Sequence, residues 1–162
     1  APANIKNDHT ITVAATMGRS RLASFSNYGD TKVDIAAPGV GILSAVPGDD
    51  QAMLSGTSQA APYVANLAGR VMDANPKLTP GEVRRILMET VDKKDFLARK
   101  VRSQGIANPE RALRAAQLTR GGSLGDAILR ANLEVGEVRE TQMMSVMQDS
   151  DLFVVPLPST IR

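Results

Sequence analysis

The 162-residue sequence contains no cysteine, no tryptophan and a single histidine, His9. Without cysteine there are no disulfides, no thiolate metal sites and no cysteine nucleophile. That absence does not fix a compartment, because secreted proteins also do without cysteine. Aromatics make up only 3% of the residues, so the core must be built mainly from Ala, Val, Ile, Leu and Met. No apolar run approaches the ~18 residues a membrane-spanning helix needs, and no signal peptide is visible. The chain opens on Ala-Pro rather than Met, so a missing leader says little. An excess of one charge is missing too: 19 basic residues stand against 17 acidic, a net charge of +2. That is too little to imply nucleic acid or a membrane surface as a partner. What remains is 43% hydrophobic and 22% charged, the make-up of a globular domain of ordinary size.

The first third reads as strands and tight turns. Ile11 to Thr16 (ITVAAT) and Val33 to Ala37 (VDIAA) are short, near-continuously apolar runs. Such runs suit strands of a parallel sheet, buried on both faces. Gly41 to Val46 is a third run, stopped by Pro47-Gly48, with Ala52 to Leu54 as its hairpin partner. From Ser58 to Met72 small and apolar residues surround a helix, which predicts that it is buried. Thr79-Pro80-Gly81-Glu82 reads as a capping box, with Thr79 as N-cap, Pro80 at N1 and Glu82 at N3. Asn108-Pro109 opens a further helix in the same way. After the Gly121-Gly122 break, Ser123 caps a predicted helix of about 25 residues ending near Met147. Its methionines, Met143, Met144 and Met147, read as packing surface. A terminal strand is predicted over Leu152 to Val155.

The chemistry concentrates in Ser55 to Pro62, S-G-T-S-Q-A-A-P. A serine at a helix start is surrounded by backbone N–H groups without intrahelical acceptors. Those donors and the helix dipole favour negative charge. Acyl transfer develops such a charge on the oxygen of its tetrahedral intermediate. Gly56 allows a substrate backbone to come close, and Pro62 is placed in the first turn, where it is tolerated. These features alone also describe an ordinary N-cap serine, and on them alone that reading is preferred.

The pattern G-T-S-x-A-x-P resembles the nucleophile signature of the subtilisin-like serine proteases. Leu22 to Gly29 (LASFSNYG), Val33 to Val40 (VDIAAPGV), Ile42 to Gly48 (ILSAVPG) and Gly105 to Ala112 (GIANPERA) follow the same family's text in order and spacing. The resemblance implies a doubly wound α/β fold with a parallel sheet in three layers, of which residues 1–117 are the C-terminal portion. Residues 118–162 match nothing in the protease core and read as an accessory extension. By resemblance, Ser58 is the nucleophile and its N–H contributes to the oxyanion hole. Thr57 supports that hole, and Leu54, Ser55 and Gly56 flank the substrate. Gln59 stands where many relatives carry Met, so the position cannot form a sulfoxide. Asp34 aligns with a carboxylate near a weak calcium site, although a solvated loop carboxylate explains it equally well. No cofactor is needed for the chemistry.

The triad also needs a base and an orienting carboxylate. In this family both lie far upstream of the serine, as does the side-chain amide of the oxyanion hole. His9 sits directly before the first strand, where the family has no catalytic residue, and reads as a loop residue. The chain therefore reads as starting inside a domain, inactive by itself. A nicked enzyme whose upstream half stays bound is preferred over a split or truncated gene product. The implied partners are that N-terminal half, polypeptide substrates and an inhibitory propeptide, and the implied location is secreted or periplasmic. The competing reading is a non-catalytic protease remnant with an interaction or regulatory role. Another class of serine hydrolase is disfavoured, because G-x-S-x-G is missing.

Overall fold

A computed structural model of the chain describes residues 7–138. The predicted strand at Leu152 to Val155 and the methionines at 143, 144 and 147 lie outside those residues.

Strand β1 (Val13–Met17) turns back into the short β2 (Arg21–Leu22), paired antiparallel to it. β3 (Ile35–Pro38) lies parallel to β1, with Val13 opposite Ile35 and Thr16 opposite Pro38. The hairpin β4 (Ile42–Val46) and β5 (Asp50–Leu54) forms its own two-stranded sheet. Helix α1 (Thr57–Ala74) follows at once, then α2 (Pro80–Glu89). β6 (Asp92–Lys93) and β7 (Gly105–Ile106) complete the main sheet in the order β2-β1-β3-β7-β6, with β7 parallel to β3. Helices α3 (Pro109–Leu118) and α4 (Leu124–Glu134) close the described part. This is a mixed α/β fold on a mostly parallel sheet, as the apolar runs predict. A third parallel strand, β7, escapes the sequence because two residues carry no periodicity.

The predicted hairpin and both proline-initiated helices are present. Thr79 Oγ1 accepts from the Glu82 N–H, and the Glu82 carboxylate accepts from the Thr79 N–H at 2.8 Å. Asn108 caps α3 by accepting from the Arg111 N–H at 2.9 Å.

The core is built from Ala, Val, Ile and Leu as expected, but not from Met. It is dominated by alanine, with Ala14 and Ala15 of β1, Ala36 and Ala37 of β3 and Ala60 of α1 fully buried, and no methionine is buried among the described residues. Small side chains let the helix approach the strands closely, so close packing supplies what large apolar groups do elsewhere.

Two helix predictions are corrected. Helix α1 buries one stripe, Ala60, Tyr63, Val64, Leu67 and Val71. Ala61, Pro62, Ala65, Gly69 and Met72 on its other side are exposed. The 3.6-residue period turns only one face to the sheet and to α2 and α3, whatever the polarity of the other. Helix α4 ends at Glu134, far short of Met147. The backbone leaves the helix at Val135, whose carbonyl accepts from Arg111 Nε at 2.9 Å. Gly136, a poor helix former, follows. Three residues beyond Val135, the Val138 N–H donates to buried Asp92 at 3.3 Å. Tertiary hydrogen bonds thus override the helical pattern.

Candidate active site

The turn that carries Ser58 stands at the carboxyl end of the parallel strands, where α/β sheets place their sites. Gly39, the residue after β3, donates its N–H to Thr16 at 3.0 Å and accepts the Gly56 N–H at 2.7 Å. The Ser55 hydroxyl accepts the Gly41 N–H at 2.9 Å. The segment 55–56 is therefore tied at two points to the segment 39–41, and through Thr16 to β1.

Ser58 is the second residue of α1 and is exposed. The Gln59 and Ala60 N–H groups turn back to the Gly56 carbonyl, at 3.1 and 3.4 Å. The Thr57 and Ser58 N–H groups have no intrahelical acceptor, and among the described residues no side chain caps this helix start. An 18-residue helix thus presents uncapped donors beside an exposed hydroxyl. That is the arrangement that holds a developing oxyanion. Pro62 lies beyond the first turn, which corrects the placement read from the sequence. Four residues after Ser58, it has no N–H to give to the Ser58 carbonyl. The proline therefore frees the Ser58 carbonyl from the helix ladder.

Thr57 and Gly56 are half-buried beside Ser58, as is Leu54 at the end of β5. The structure brings Leu54, Ser55, Gly56, Thr57 and Ser58 together in one continuous turn. It gives Ser55 an anchoring bond that the sequence does not foretell. The neighbouring hairpin turns Leu43 and Met53 outward as a cross-strand pair, 57% and 65% exposed.

His9 is not brought to this site. It sits in an exposed turn, its N–H donating to Asn7 Oδ1 at 2.7 Å, before the amino end of β1. The strand alone extends roughly 13 Å toward the opposite end of the sheet, at ~3.3 Å per residue. Among the described residues, no imidazole stands near Ser58.

Asp34 is not a solvated loop carboxylate. It is buried, Oδ1 accepting from Arg84 at 2.7 Å and facing Arg102 at 3.3 Å, while Oδ2 accepts the Thr12 N–H at 3.0 Å. Two guanidinium groups occupy the position where a cation would be held, so Asp34 does not fit a calcium ligand. Among the described residues, no group of three His, Cys, Asp or Glu side chains gathers elsewhere.

A second polar centre escapes sequence reading altogether. Asp92 is fully buried and accepts from Asn108 Nδ2 at 2.8 Å, from the Val138 N–H and from Arg19, with Arg111 at 3.2 Å. Glu137 bridges Arg19 and Lys94 beside it. The Lys94 ammonium is the main cause that holds the Glu137 carboxyl below its ordinary value of 4.5. Nearby, burial pushes the Tyr63 phenol up to about 12, and its hydroxyl has no hydrogen-bond partner among the described residues.

A family model of the Subtilase family matches residues 1–111. The chain belongs to the subtilases, a family of serine peptidases. It is 46% identical over 92 residues to the thermophilic serine proteinase of Bacillus sp. strain AK1, covering 57% of this chain and 22% of that protein. It is 43% identical over 95 residues to the cell wall-associated protease of Bacillus subtilis, covering 59% of this chain and 10% of that one. Against Subtilisin Savinase of Lederbergia lenta it is 37% identical over 113 residues, covering 70% and 40%. Among solved structures, proteases from Pseudoalteromonas arctica match with a TM-score of 0.59 at 32% identity, over 71% of this chain and 38% of that one. The A-subunit of the AB5 toxin from E. coli matches equally well, at 0.59 and 32%, over 66% and 38%. The chain thus spans less than half the length of each of these relatives.

Proposed function

We propose that this chain is the nucleophile-bearing portion of a serine endopeptidase that cleaves peptide bonds through an acyl-enzyme on Ser58. The observation that carries the reading is the exposed Ser58 hydroxyl at the uncapped start of α1, within Gly-Thr-Ser-x-Ala-x-Pro. In this reading Ser58 attacks the scissile carbonyl, and its own N–H binds the oxyanion with support from the Thr57 hydroxyl. Leu54, Ser55 and Gly56 line the substrate. The base, its orienting Asp and the oxyanion Asn come from an upstream segment or a second chain, because His9 lies at the wrong end of the sheet. The exposed apolar side of α1 supports this, since a face of Ala61, Ala65 and Met72 suits burial under further protein. The assembled enzyme is secreted, like the relatives whose names describe extracellular or cell wall-associated proteases. Residues 118–162 serve as an accessory element. Deleting 120–162 is expected to lower stability while leaving turnover per folded molecule nearly unchanged.

Labelling with a fluorophosphonate probe, followed by peptide mapping, tests the assignment. The label is expected on Ser58 and only with the upstream part present. A label on another serine would refute it. The second reading, a non-catalytic remnant, is favoured by the distance of His9 from Ser58. It predicts no label even when the upstream part is supplied.

A further inference from the structure

Gly39 is buried directly beneath the turn that carries Ser58. A Cβ added there would meet the Gly56 carbonyl oxygen at 2.7 Å, Ala15 Cβ at 2.7 Å and Ala60 Cβ at 3.2 Å. Contacts under 3.0 Å force something to shift, and here the obstacles are backbone and two short side chains with no freedom to swing away. Conformational freedom is not the reason for glycine here, since Gly39 is not among the residues with positive φ. The requirement is space. The same residue joins sheet to site, its N–H on Thr16 and its carbonyl on the Gly56 N–H at 2.7 Å.

We infer that Gly39 is a positioning residue for the nucleophile: its missing side chain lets the Gly56 turn seat on the end of β3, and this seat fixes where Ser58 stands relative to the sheet. Ala15 and Ala60 form the other walls of the seat, and the Ser55 hydroxyl on Gly41 is its second anchor. A methyl group at position 39 presses upward on the Gly56 carbonyl, which also receives the Gln59 and Ala60 N–H groups of α1. The displacement therefore passes directly to the start of the helix and to Ser58. The inference rests on the reading of Ser58 as nucleophile, but the seat has a readout of its own.

The test uses the full chain together with the upstream part that completes the enzyme. It reads the rate of fluorophosphonate labelling per folded molecule, kcat and KM on a peptide substrate, and hydrogen exchange of the Gly56 amide. Gly39→Ala is expected to slow labelling and lower kcat about 100-fold, the cost of a misplacement near 1 Å. KM should stay nearly constant, and exchange at Gly56 should quicken. The double variant Gly39→Ala/Ala15→Gly relieves the sheet-side overlap and leaves the one with the Gly56 carbonyl. It should regain most of the thermal stability without regaining the labelling rate. Ser55→Ala, which leaves all backbone contacts, should slow labelling about fivefold, on the scale of one modest hydrogen bond. Stability and labelling that recover together in the double variant would overturn the inference, as would parental labelling in Gly39→Ala. If Gly39→Ala does not fold, parental labelling rates in both other variants overturn it. If the parent is not labelled at all, the nucleophile reading fails, and Gly56 exchange still decides the seat: quickened exchange upholds it and unchanged protection overturns it.

Discussion

Two regions of this molecule are held together by opposite means. Where α1 crosses β1 and β3, Gly39 is closed in by Ala15, Ala60 and the Gly56 carbonyl, and shape alone decides the fit. Around Asp92 the contacts are charges and hydrogen bonds, from Arg19, Arg111, Asn108 and the Val138 N–H. The first region holds the site by shape, because closely packed small groups have no rotamers to adjust. The second fixes the chain after α4 to the body. A buried carboxylate must be paired, and few arrangements pair it fully. The comparison teaches that position is governed by packing at one place and by pairing at the other. Damage to each region should therefore show in different measurements.

The largest effect is expected at the charged region. Asp92→Ala leaves Arg111, whose side chain is only 17% exposed, without its carboxylate, and leaves Arg19, 9% exposed, to Glu137 at 3.4 Å. Removing one partner of a buried pair costs about 3–5 kcal/mol. Urea unfolding should show that loss, while Ser58 labelling per folded molecule stays near the parental rate. A matching loss of labelling would join the two regions and break the comparison.

The reverse pattern is expected for Ala60→Val. Overpacking a filled junction costs about 1–3 kcal/mol. Because Ala60 is a wall of the seat below Gly56, labelling should fall further than stability does. Parental labelling with lowered stability would show that the junction yields without moving the site.

A smaller loss, about 1 kcal/mol, is expected for Thr79→Ala, which removes the N-cap of α2. This change lies in neither region, so the unfolding midpoint should move while labelling does not. The Glu82 carboxyl, held low chiefly by its bond from the Thr79 N–H, adds a pH dependence. A depressed carboxyl contributes stability above its ordinary value of 4.5, and that contribution is lost as pH falls through the folded value. The acid limb of the thermal midpoint should therefore flatten slightly in Glu82→Gln.

The smallest effect, and one of opposite sign, is expected for Tyr63→Phe. The buried hydroxyl has no partner among the described residues, so its loss removes a desolvation cost without breaking a bond there. Stability at pH 7 should stay level or rise. The raised phenol value means that folding favours the protonated form, so stability is lost as pH climbs from the ordinary 10 toward about 12. That alkaline loss should shrink in the variant. A clear loss of stability at neutral pH would reveal a partner for the hydroxyl.

Much of the fold was legible because it is written locally. The apolar runs Ile11 to Thr16 and Val33 to Ala37, which contain most of β1 and β3, the Pro47-Gly48 turn and the capping box at Thr79 each depend on residues within a few positions of one another. The Ser58 turn was legible for the same reason, since its whole pattern fits in Ser55 to Pro62. Three matters were decided only in three dimensions. The space at Gly39 is set by Gly56 and by Ala15, which lies 24 positions earlier, so in the sequence Gly39 reads as no more than a turn glycine. The end of α4 is set by Arg111 and Asp92, which draw Val135 and Val138 out of a helical pattern that continues on paper. Asp34 reads as a loop acid until the fold brings Arg84 and Arg102 to it. The sequence by itself determined where β1, β3, the β4–β5 hairpin and helices α1, α2 and α3 lie and which serine heads a helix, because short-range sterics and hydrogen bonds suffice for that. Only the tertiary structure decided how closely the helix sits on the sheet and which buried charges meet. Both depend on residues far apart in the chain, and no local pattern records their distance.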